Sequence, residues 1–323
     1  MLTLSEGECT YRMKPKVTVG VCVRNCEGFV KEAIESIMNQ DFPHELMEVI
    51  FVDDGSEDET LSIIKSHIPK MDMKVKVFHH EWKGLGYSRN VVVDNATGDF
   101  ILWVDGDMTL SGDFISKLVE FMKKNPKIGI AKGKQALQPG GNMLATLETY
   151  SRAVARMVDY QSEKARSKSL GTGGSMYRLG AIRQVGGFDE NLKGYGEDQD
   201  IEIRVRTKGW LLATTDAKFL DYERYGLAWR SLWRRYWLRG YYIHYFLHKN
   251  RGLLKHYKMF PLAASLSGLL HAHILFKMTH DKAIFLLPLQ YLFKVSAWYF
   301  GFMRSHINGY EPDYENISVI LGR

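Results

Sequence analysis

The chain is short of four things that would have narrowed its function. Among 323 residues there are only three cysteines, Cys9, Cys22 and Cys26. They are odd in number and lack metal-ligand spacing, which points to reduced, buried structural thiols in a cytosolic compartment. The opening stretch from Met1 to Thr10 has no basic segment followed by an apolar core, so no secretory signal is expected. There is no internal repeat. With 45% hydrophobic and 25% charged residues, the composition excludes a disordered, collagen-like or low-complexity scaffold.

The remaining gap is in charge of one sign. Between Glu223 and Asp281 there is no acidic residue. From Arg224 onward fourteen Lys/Arg face four Asp/Glu, a balance of +10 in a chain whose net charge is +6, which leaves residues 1–223 at −4. The two parts are built for different surroundings.

What is present first is a series of strand, loop and helix patterns. Lys16–Val23 alternates β-branched and small residues, Arg24–Gly28 breaks the alternation, and a helical pattern continues through Ile34, Ile37 and Met38. Leu46–Val52 is a second apolar strand ending in Asp53-Asp54-Gly55-Ser56, after which Ser56 and Glu59 have capping-box spacing for a helix through Leu61 and Ile64. Val75–Phe78 is a third strand, and Lys83-Gly84 opens a segment containing Arg89 and Asn90. A fourth strand, Phe100–Val104, stops at Asp105-Gly106-Asp107. Strands alternating with helices imply a mostly parallel sheet covered on both faces, with its ligand site beyond the carboxyl ends of the strands. Two of the four loops gathered there carry carboxylate pairs and two carry cationic groups. Such a set can hold a base, a ribose, a diphosphate and a metal.

Further along, a helix from Asp113 to Lys124 stops at Asn125-Pro126, Ile128–Ala131 is a short strand, and Met143–Arg166 reads as a long helix. Leu170–Tyr177 is a glycine-rich loop, including Gly174, whose backbone can approach a ligand closely. Then Gly194-Tyr195-Gly196 leads into Glu197, Asp198 and Asp200 at the mouth of a helix. Acidic residues stabilise a helix N-terminus by about 0.3–1 kcal/mol each, which accounts for one or two of the three. The nearly bare Gly-Tyr-Gly before them indicates that something approaches closely.

With these residues laid out, the chain resembles glycosyltransferase family 2, inverting enzymes with a GT-A nucleotide-sugar-binding fold, over roughly Lys16 to Tyr236. Val52–Ser56 is similar to the family's nucleotide-binding turn, Gly84–Asn90 to its glycine and Ala-Arg-Asn segment, and Asp105-Gly106-Asp107 to its metal motif. Gly187–Glu190 followed by Glu197-Asp198 is similar to its acceptor-side loop and catalytic acidic pair. The resemblance implies Asp53 or Asp54 on the uracil or guanine and ribose, helped by Arg24, Glu27 and Lys83. Arg89, Gly174 and Glu197 fall among its donor-site positions. It also implies Asp107 as a ligand of Mn²⁺ or Mg²⁺, Asp105 near ribose and metal, and Asp198 as general base. Inverting transfer asks for these roles on chemical grounds too, a carboxylate to take the acceptor proton and a cation to neutralise the departing diphosphate. Two places depart from the family. The first loop reads Val23-Arg24-Asn25, and Phe219-Leu220-Asp221 stands where many relatives have a metal-side histidine, with Asp221 a substitute oxygen ligand.

The basic part opens with Trp229–Tyr242, aromatic rings and guanidinium groups interleaved at helical spacing, where Arg234 or Arg235 could reach the diphosphate. A membrane-surface helix, a nucleic-acid-binding segment and a solvated helix are all consistent with it. The first fits best with the two apolar runs beyond it, and no nucleic-acid partner is expected. Met259–Phe276 has no formally charged side chain over eighteen residues, about 27 Å as a helix. Ile284–Met303 is a second apolar run, interrupted by Pro288 and Lys294. The pair could span as a hairpin with both ends in the cytoplasm, lie at the interface, or form a soluble helical cap.

The expected organisation is an α/β GT-A domain over 16–223 after an extension over 1–15, a basic aromatic segment over 224–258, an apolar hairpin over 259–303 and a tail over 304–323. The expected function is transfer of a sugar from a UDP- or GDP-sugar to a hydroxyl or phosphate of a glycan or polyprenyl-phosphate-linked lipid. The site would lie at the cell membrane, on its cytoplasmic side. A non-catalytic nucleotide-binding or membrane-assembly protein with the same fold is the alternative.

Overall fold

A computed structural model describes residues 16–155, 169–221, 223, 225–250 and 261–309. Cys9, the N-terminal extension, the end of the expected 143–166 helix, residues 251–258 and the tail beyond 309 lie outside the described residues.

Eight strands form one sheet. They are β1 (Val17–Val23), β2 (Met47–Asp54), β3 (Lys74–His80), β4 (Phe100–Trp103), β5 (Thr109–Leu110), β6 (Ile128–Gln135), β7 (Ser175–Arg178) and β8 (Leu211–Leu220), in the spatial order β3-β2-β1-β4-β7-β6-β8-β5. The first four in that order are parallel, as expected. The expected parallel arrangement ends at β7, which runs antiparallel to both β4 and β6, while β6 and β8 pair in parallel and β5 closes the edge antiparallel to β8. The sheet is therefore mixed. The change of direction follows from the connection into β7, which enters the sheet from the glycine-rich loop at the ligand edge.

Helices α1 (Val30–Met38), α2 (Thr60–His67), α3 (Leu85–Asn95), α4 (Phe114–Lys124), α5 (Met143–Ala155), α6 (Leu179–Gln184) and α7 (Glu197–Thr207) follow the strands. In α1 the buried residues are Val30, Ala33, Ile34 and Ile37, the spacing of a single apolar stripe. That stripe and the one on α4 pack against one sheet face, and α3, α6 and α7 cover the other. With both faces covered, β1 and β2 are buried almost throughout, and each fully buried Val or Ile contributes about 1.5–3 kcal/mol. The expected capping box is not formed: α2 starts at Thr60 with Glu59 as its N-cap, and Ser56 Oγ bonds to Asp53 instead.

The C-terminal part folds onto this layered unit as α8 (Trp229–Lys249), α9 (Pro261–Thr279) and α10 (Leu287–Ile307). Leu147, Tyr150 and Val154 of α5 share an apolar cluster with Ala272 and Leu275 of α9 and Leu287 of α10. Helices α8 and α10 cross at Gly240 and Gly301, where an added Cβ would lie 1.9 Å from the Trp298 or Trp237 carbonyl oxygen, so only glycine permits the approach. Lys294 of α10 is buried with its Nζ 2.9 Å from Glu148 Oε2 and 2.9 Å from Ser151 Oγ, both on α5. Among the described residues one helix, Lys282–Ile307, is long and apolar enough to cross a membrane.

Candidate active site

The sheet register sets the loops side by side: Val23 pairs with Asp53, and Gly20 with Trp103, so the chain leaves β1, β2 and β4 at one edge. The first two loops are tied together. Asn25 N–H donates to Ser56 Oγ (3.0 Å), Glu57 N–H to Asn25 Oδ1 (2.8 Å), Cys26 N–H to Thr60 Oγ1 (2.8 Å) and Glu59 N–H to Glu27 Oε2 (3.0 Å). Glu27, expected at the donor, is thus a clasp between loops. Burial pushes the Cys22 and Cys26 thiols up to about 12, consistent with the structural role expected of them.

Asp53 and Asp54 have different surroundings. Asp53 is fully buried, engaged by Ser56 Oγ and by His79 Nδ1 at 2.7 Å, and the half-exposed His79 is the member of that pair that reaches solvent. Asp54 accepts from the backbone N–H groups of Lys83 (2.7 Å) and Gly84 (3.0 Å), with His80 Nδ1 at 3.4 Å. It therefore pins the loop that opens α3. Lys83 Nζ sits over the Tyr87 ring at 4.3 Å, and the Arg24 guanidinium lies 5.4 Å from the Trp82 ring centroid and 3.8 Å from Glu57. The two expected donor-side cations lie at this edge with aromatic faces beneath them.

The loop before β7 brings the two acidic motifs together. A Cβ on Gly173 would lie 2.1 Å from Asp105 Oδ2, and one on Gly171 would lie 3.4 Å from Asp198 Oδ2 and 3.5 Å from Lys132 Nζ. Asp105 and Asp198, 93 positions apart in sequence, thus flank one short stretch of backbone. Gly174, with φ of 71°, packs against Phe219 and bends the loop rather than facing the two carboxylates.

Beneath Asp198 lies a buried ionic layer. Glu197 is paired with Arg89 Nη1 at 2.5 Å, and Arg89 is packed against the Trp103 and Phe188 rings. Both were expected at the donor, but the structure makes them a buried strut between α3 and α7. Burial and the neighbouring Asp198 push Glu197 up to about 6 against the pull of Arg89. Glu202, one turn after Asp198, accepts the N–H groups of Leu170 (2.9 Å) and Gly171 (2.8 Å), and burial together with Asp198 pushes it up to about 7. Lys132 Nζ donates to Gly171 O at 3.2 Å. Sequence reasoning missed Glu202 and Lys132. The available signal was a charged residue at a helix position spaced four from Asp198, and another inside the apolar β6 pattern.

Asp107 feels the charge of both Asp221 and Asp105. Desolvation and the Asp221 and Asp105 carboxylates push Asp107 up to about 7. Asp221 lies 3.3 Å from Arg152, which also faces Glu223 at 3.5 Å, and Arg235 grips both oxygens of Glu223. Asp221 and Arg235, expected on metal and diphosphate, therefore belong to one ion-pair network with Arg152. Among the described residues no three His, Cys, Asp or Glu side chains converge as a ready-made cage for an ion. Two carboxylates, Asp105 and Asp107, two positions apart at the end of β4 suit a divalent cation of the Mn²⁺ or Mg²⁺ kind, which is commonly held by one or two carboxylates with substrate phosphates completing the shell.

The sequence matches the profile of "Glycosyl transferase family 2" over residues 18–183. It is 38% identical over 102 residues to the poly(ribitol-phosphate) beta-N-acetylglucosaminyltransferase TarS of Staphylococcus aureus, a stretch covering 32% of this chain and 17% of that relative's length. The fold is similar to that of the mannosyltransferase PcManGT from Pyrobaculum calidifontis, solved in complex with GDP-Man and Mn²⁺, with a TM-score of 0.60 and 18% identity over 88% of this chain and 86% of that one. It is also similar to S. aureus TarS 1-349 in complex with UDP-GlcNAc, with a TM-score of 0.52 and 18% identity over 91% and 92% of the two chains. These are GT-A glycosyltransferases, and at such identities the likeness shows a shared fold.

Proposed function

Because the chain belongs to glycosyl transferase family 2, we propose that it moves a sugar from a UDP- or GDP-sugar to an acceptor with inversion at the anomeric carbon, Asp198 serving as general base. The observation that carries this reading is the Gly171–Gly173 backbone, with Asp105 against one end and Asp198 against the other. A donor lying over the β4 edge would then present its anomeric carbon to an acceptor hydroxyl beside Asp198. Asp198 takes the hydroxyl proton while the acceptor oxygen bonds to that carbon, and the bond from carbon to diphosphate oxygen breaks to release the nucleoside diphosphate. No covalent intermediate is needed, so no nucleophile is needed. Asp107 and Asp105, with the donor phosphates, would hold Mn²⁺ or Mg²⁺, which neutralises charge on the leaving diphosphate. Arg24 and Lys83 hold the donor edge, and Glu202 and Lys132 keep the Gly171 backbone in place from below. The neighbours solved with UDP-GlcNAc and with GDP-Man support a nucleotide-sugar donor of either base.

The reading extends to location. Leu262, Leu266, Leu269 and Leu270 form an outward row on α9, three of them between 64% and 77% exposed, and Phe285, Leu289 and Ile307 continue the apolar surface. Acidic residues are absent from 224 to 280. Helices lying in the cytoplasmic face of the cell membrane account for both features, and the seating of Lys294 on Glu148 favours this surface arrangement over a crossing helix. A glycan or polyprenyl-phosphate-linked lipid would be met there as acceptor.

The test is release of nucleoside diphosphate from a panel of UDP- and GDP-sugars by detergent-solubilised protein with membrane lipid extract, in Mn²⁺ or EDTA. Metal-dependent release from one donor, lost in Asp198→Asn, is expected. Nucleotide binding without release from any donor in that extract would favour a non-catalytic member of the family.

A further inference from the structure

Beside Asp198, a cavity of about 400 Å³ opens between the sheet unit and the C-terminal helices. Its lining includes Gly171 and Asp198, Arg152 of α5, and Tyr236, Arg239 and Trp298 of α8 and α10. The donor-side residues Arg24, Asp53, Lys83 and Asp107 do not line it. Its lining joins Arg152 and Gly171, inside the span matched to the family (18–183), to Asp198 and to side chains of α8 and α10 beyond it.

Three cations border this cavity, and two are neutralised by the protein. Arg152 faces Asp221 and Glu223, and Lys294 is seated on Glu148. Arg239 is different. Its guanidinium lies 4.8 Å from the Tyr236 ring centroid and 5.3 Å from that of Tyr195, shares a side-chain hydrogen bond with Tyr236, and among the described residues makes no ion pair with a carboxylate. Glu148, the nearest acidic influence on it, already accepts from Lys294 Nζ (2.9 Å) and Tyr236 OH (3.0 Å). A guanidinium packed against two tyrosine rings at a cavity wall, with no carboxylate paired to it, keeps the N–H donors not shared with Tyr236 for an oxyanion. The Tyr236, Tyr195 and Trp298 rings beside it supply flat apolar faces for the carbon framework that carries that oxyanion.

Resting on the transferase reading above, we infer that this cavity is the acceptor subsite and that it takes an acceptor alcohol bearing an oxyanion, a phosphate ester or a carboxylate. Arg239 grips that group while the attacking hydroxyl lies at Asp198. Arg239 is then a specificity residue for the acceptor, with no part in donor binding.

The experiment measures binding of glycerol 3-phosphate and of glucuronate to the full-length protein by calorimetry, with no donor present, in wild type, Arg239→Gln and Arg239→Lys. UDP and GDP affinities are measured alongside. Wild type binds one of the two oxyanions, which identifies the phosphate or the carboxylate class. Arg239→Gln loses about tenfold or more, the scale of a charge-assisted bidentate contact, and Arg239→Lys recovers part of the loss, which separates lost charge from lost fold. Nucleotide affinities are unchanged in both Arg239 variants. Equal oxyanion binding by wild type and Arg239→Gln overturns the inference, as does a fall in nucleotide affinity, which would assign Arg239 to the donor diphosphate. Nucleotide release from a donor without Arg239-dependent oxyanion binding defeats the acceptor subsite alone. Oxyanion binding without release from any donor defeats the transferase reading and leaves the anion site standing.

Discussion

At the strand ends Asp54 is held by the backbone N–H groups of Lys83 and Gly84, whereas under the C-terminal helices Glu148 is held by the ammonium of Lys294, 146 positions away. The first arrangement uses donors that every residue but proline possesses, so it survives changes of side chain and depends on the path of the chain. The second depends on two particular side chains. Burial would raise the Glu148 carboxyl, but Lys294 holds it down at about 2. At Asp54 the donor edge is thus held by backbone donors, and at Glu148 the helical flank is held by a paired charge. Changes at the edge should alter chemistry with the fold kept, and changes in the flank should unseat the helices.

The largest effect that separates the two is at Asp198. Asp198→Asn should lower transfer by about 10²–10⁴ in kcat, the usual contribution of a general base, while donor affinity and thermal unfolding stay near wild type. A matched loss of stability would remove Asp198 from the chemistry and place it with the structural charges. Next comes the flank. Lys294→Met strands Glu148 in the interior and should cost about 3–5 kcal/mol in denaturant unfolding, most of it recovered by adding Glu148→Leu. If the single variant stays within about 1 kcal/mol of wild type, the helices are seated by their apolar contacts and the comparison fails.

Gly173→Ala is a smaller probe at the edge. Its methyl meets Asp105 Oδ2, and overpacking of about 1–3 kcal/mol should appear as about tenfold weaker donor or Mn²⁺ binding, read by nucleotide titration. Gly180→Ala, where an added Cβ has nothing within 4 Å, is the matched control.

The smallest effect is a slope. Glu202 has its folded pKa raised from 4.5 to about 7, so between those pH values the folded protein holds a proton that the unfolded chain has lost. Unfolding free energy should therefore fall as pH rises from about 4.5 to about 7, by at most about 1.4 kcal/mol per pH unit. Denaturant midpoints across that range should show the slope in wild type and a flatter line in Glu202→Gln. A rising line in wild type would mean that the carboxyl is held ionised by its two N–H donors.

The donor edge was legible because its information is local. A strand that stops at Asp-Gly-Asp, and another that stops at Asp-Asp-Gly-Ser, declare their ends within a few residues. Even there, side-chain partners escaped: Glu27 clasps two loops, Asp54 pins a third, and Arg89 and Glu197 neutralise each other below the site. A charged residue looks the same in sequence whether it meets a ligand or another part of the chain. The flank was legible only as composition. Its lack of acidic residues and its apolar runs were plain, but Lys294 read as an interruption of an apolar run until Glu148 and Ser151 were found opposite it.

The sequence by itself determined the alternation of strand and helix, the edge at which the loops gather and the residues that carry carboxylates there, because period, turn chemistry and strand ends are properties of neighbouring residues. The tertiary structure alone decided that β7 reverses direction, that one glycine-rich loop sets Asp105 and Asp198 on either side of it, and that α8 and α10 close a cavity with Arg239 on its wall. Those outcomes depend on which distant groups satisfy one another's charge and volume, and that is settled only when the elements pack.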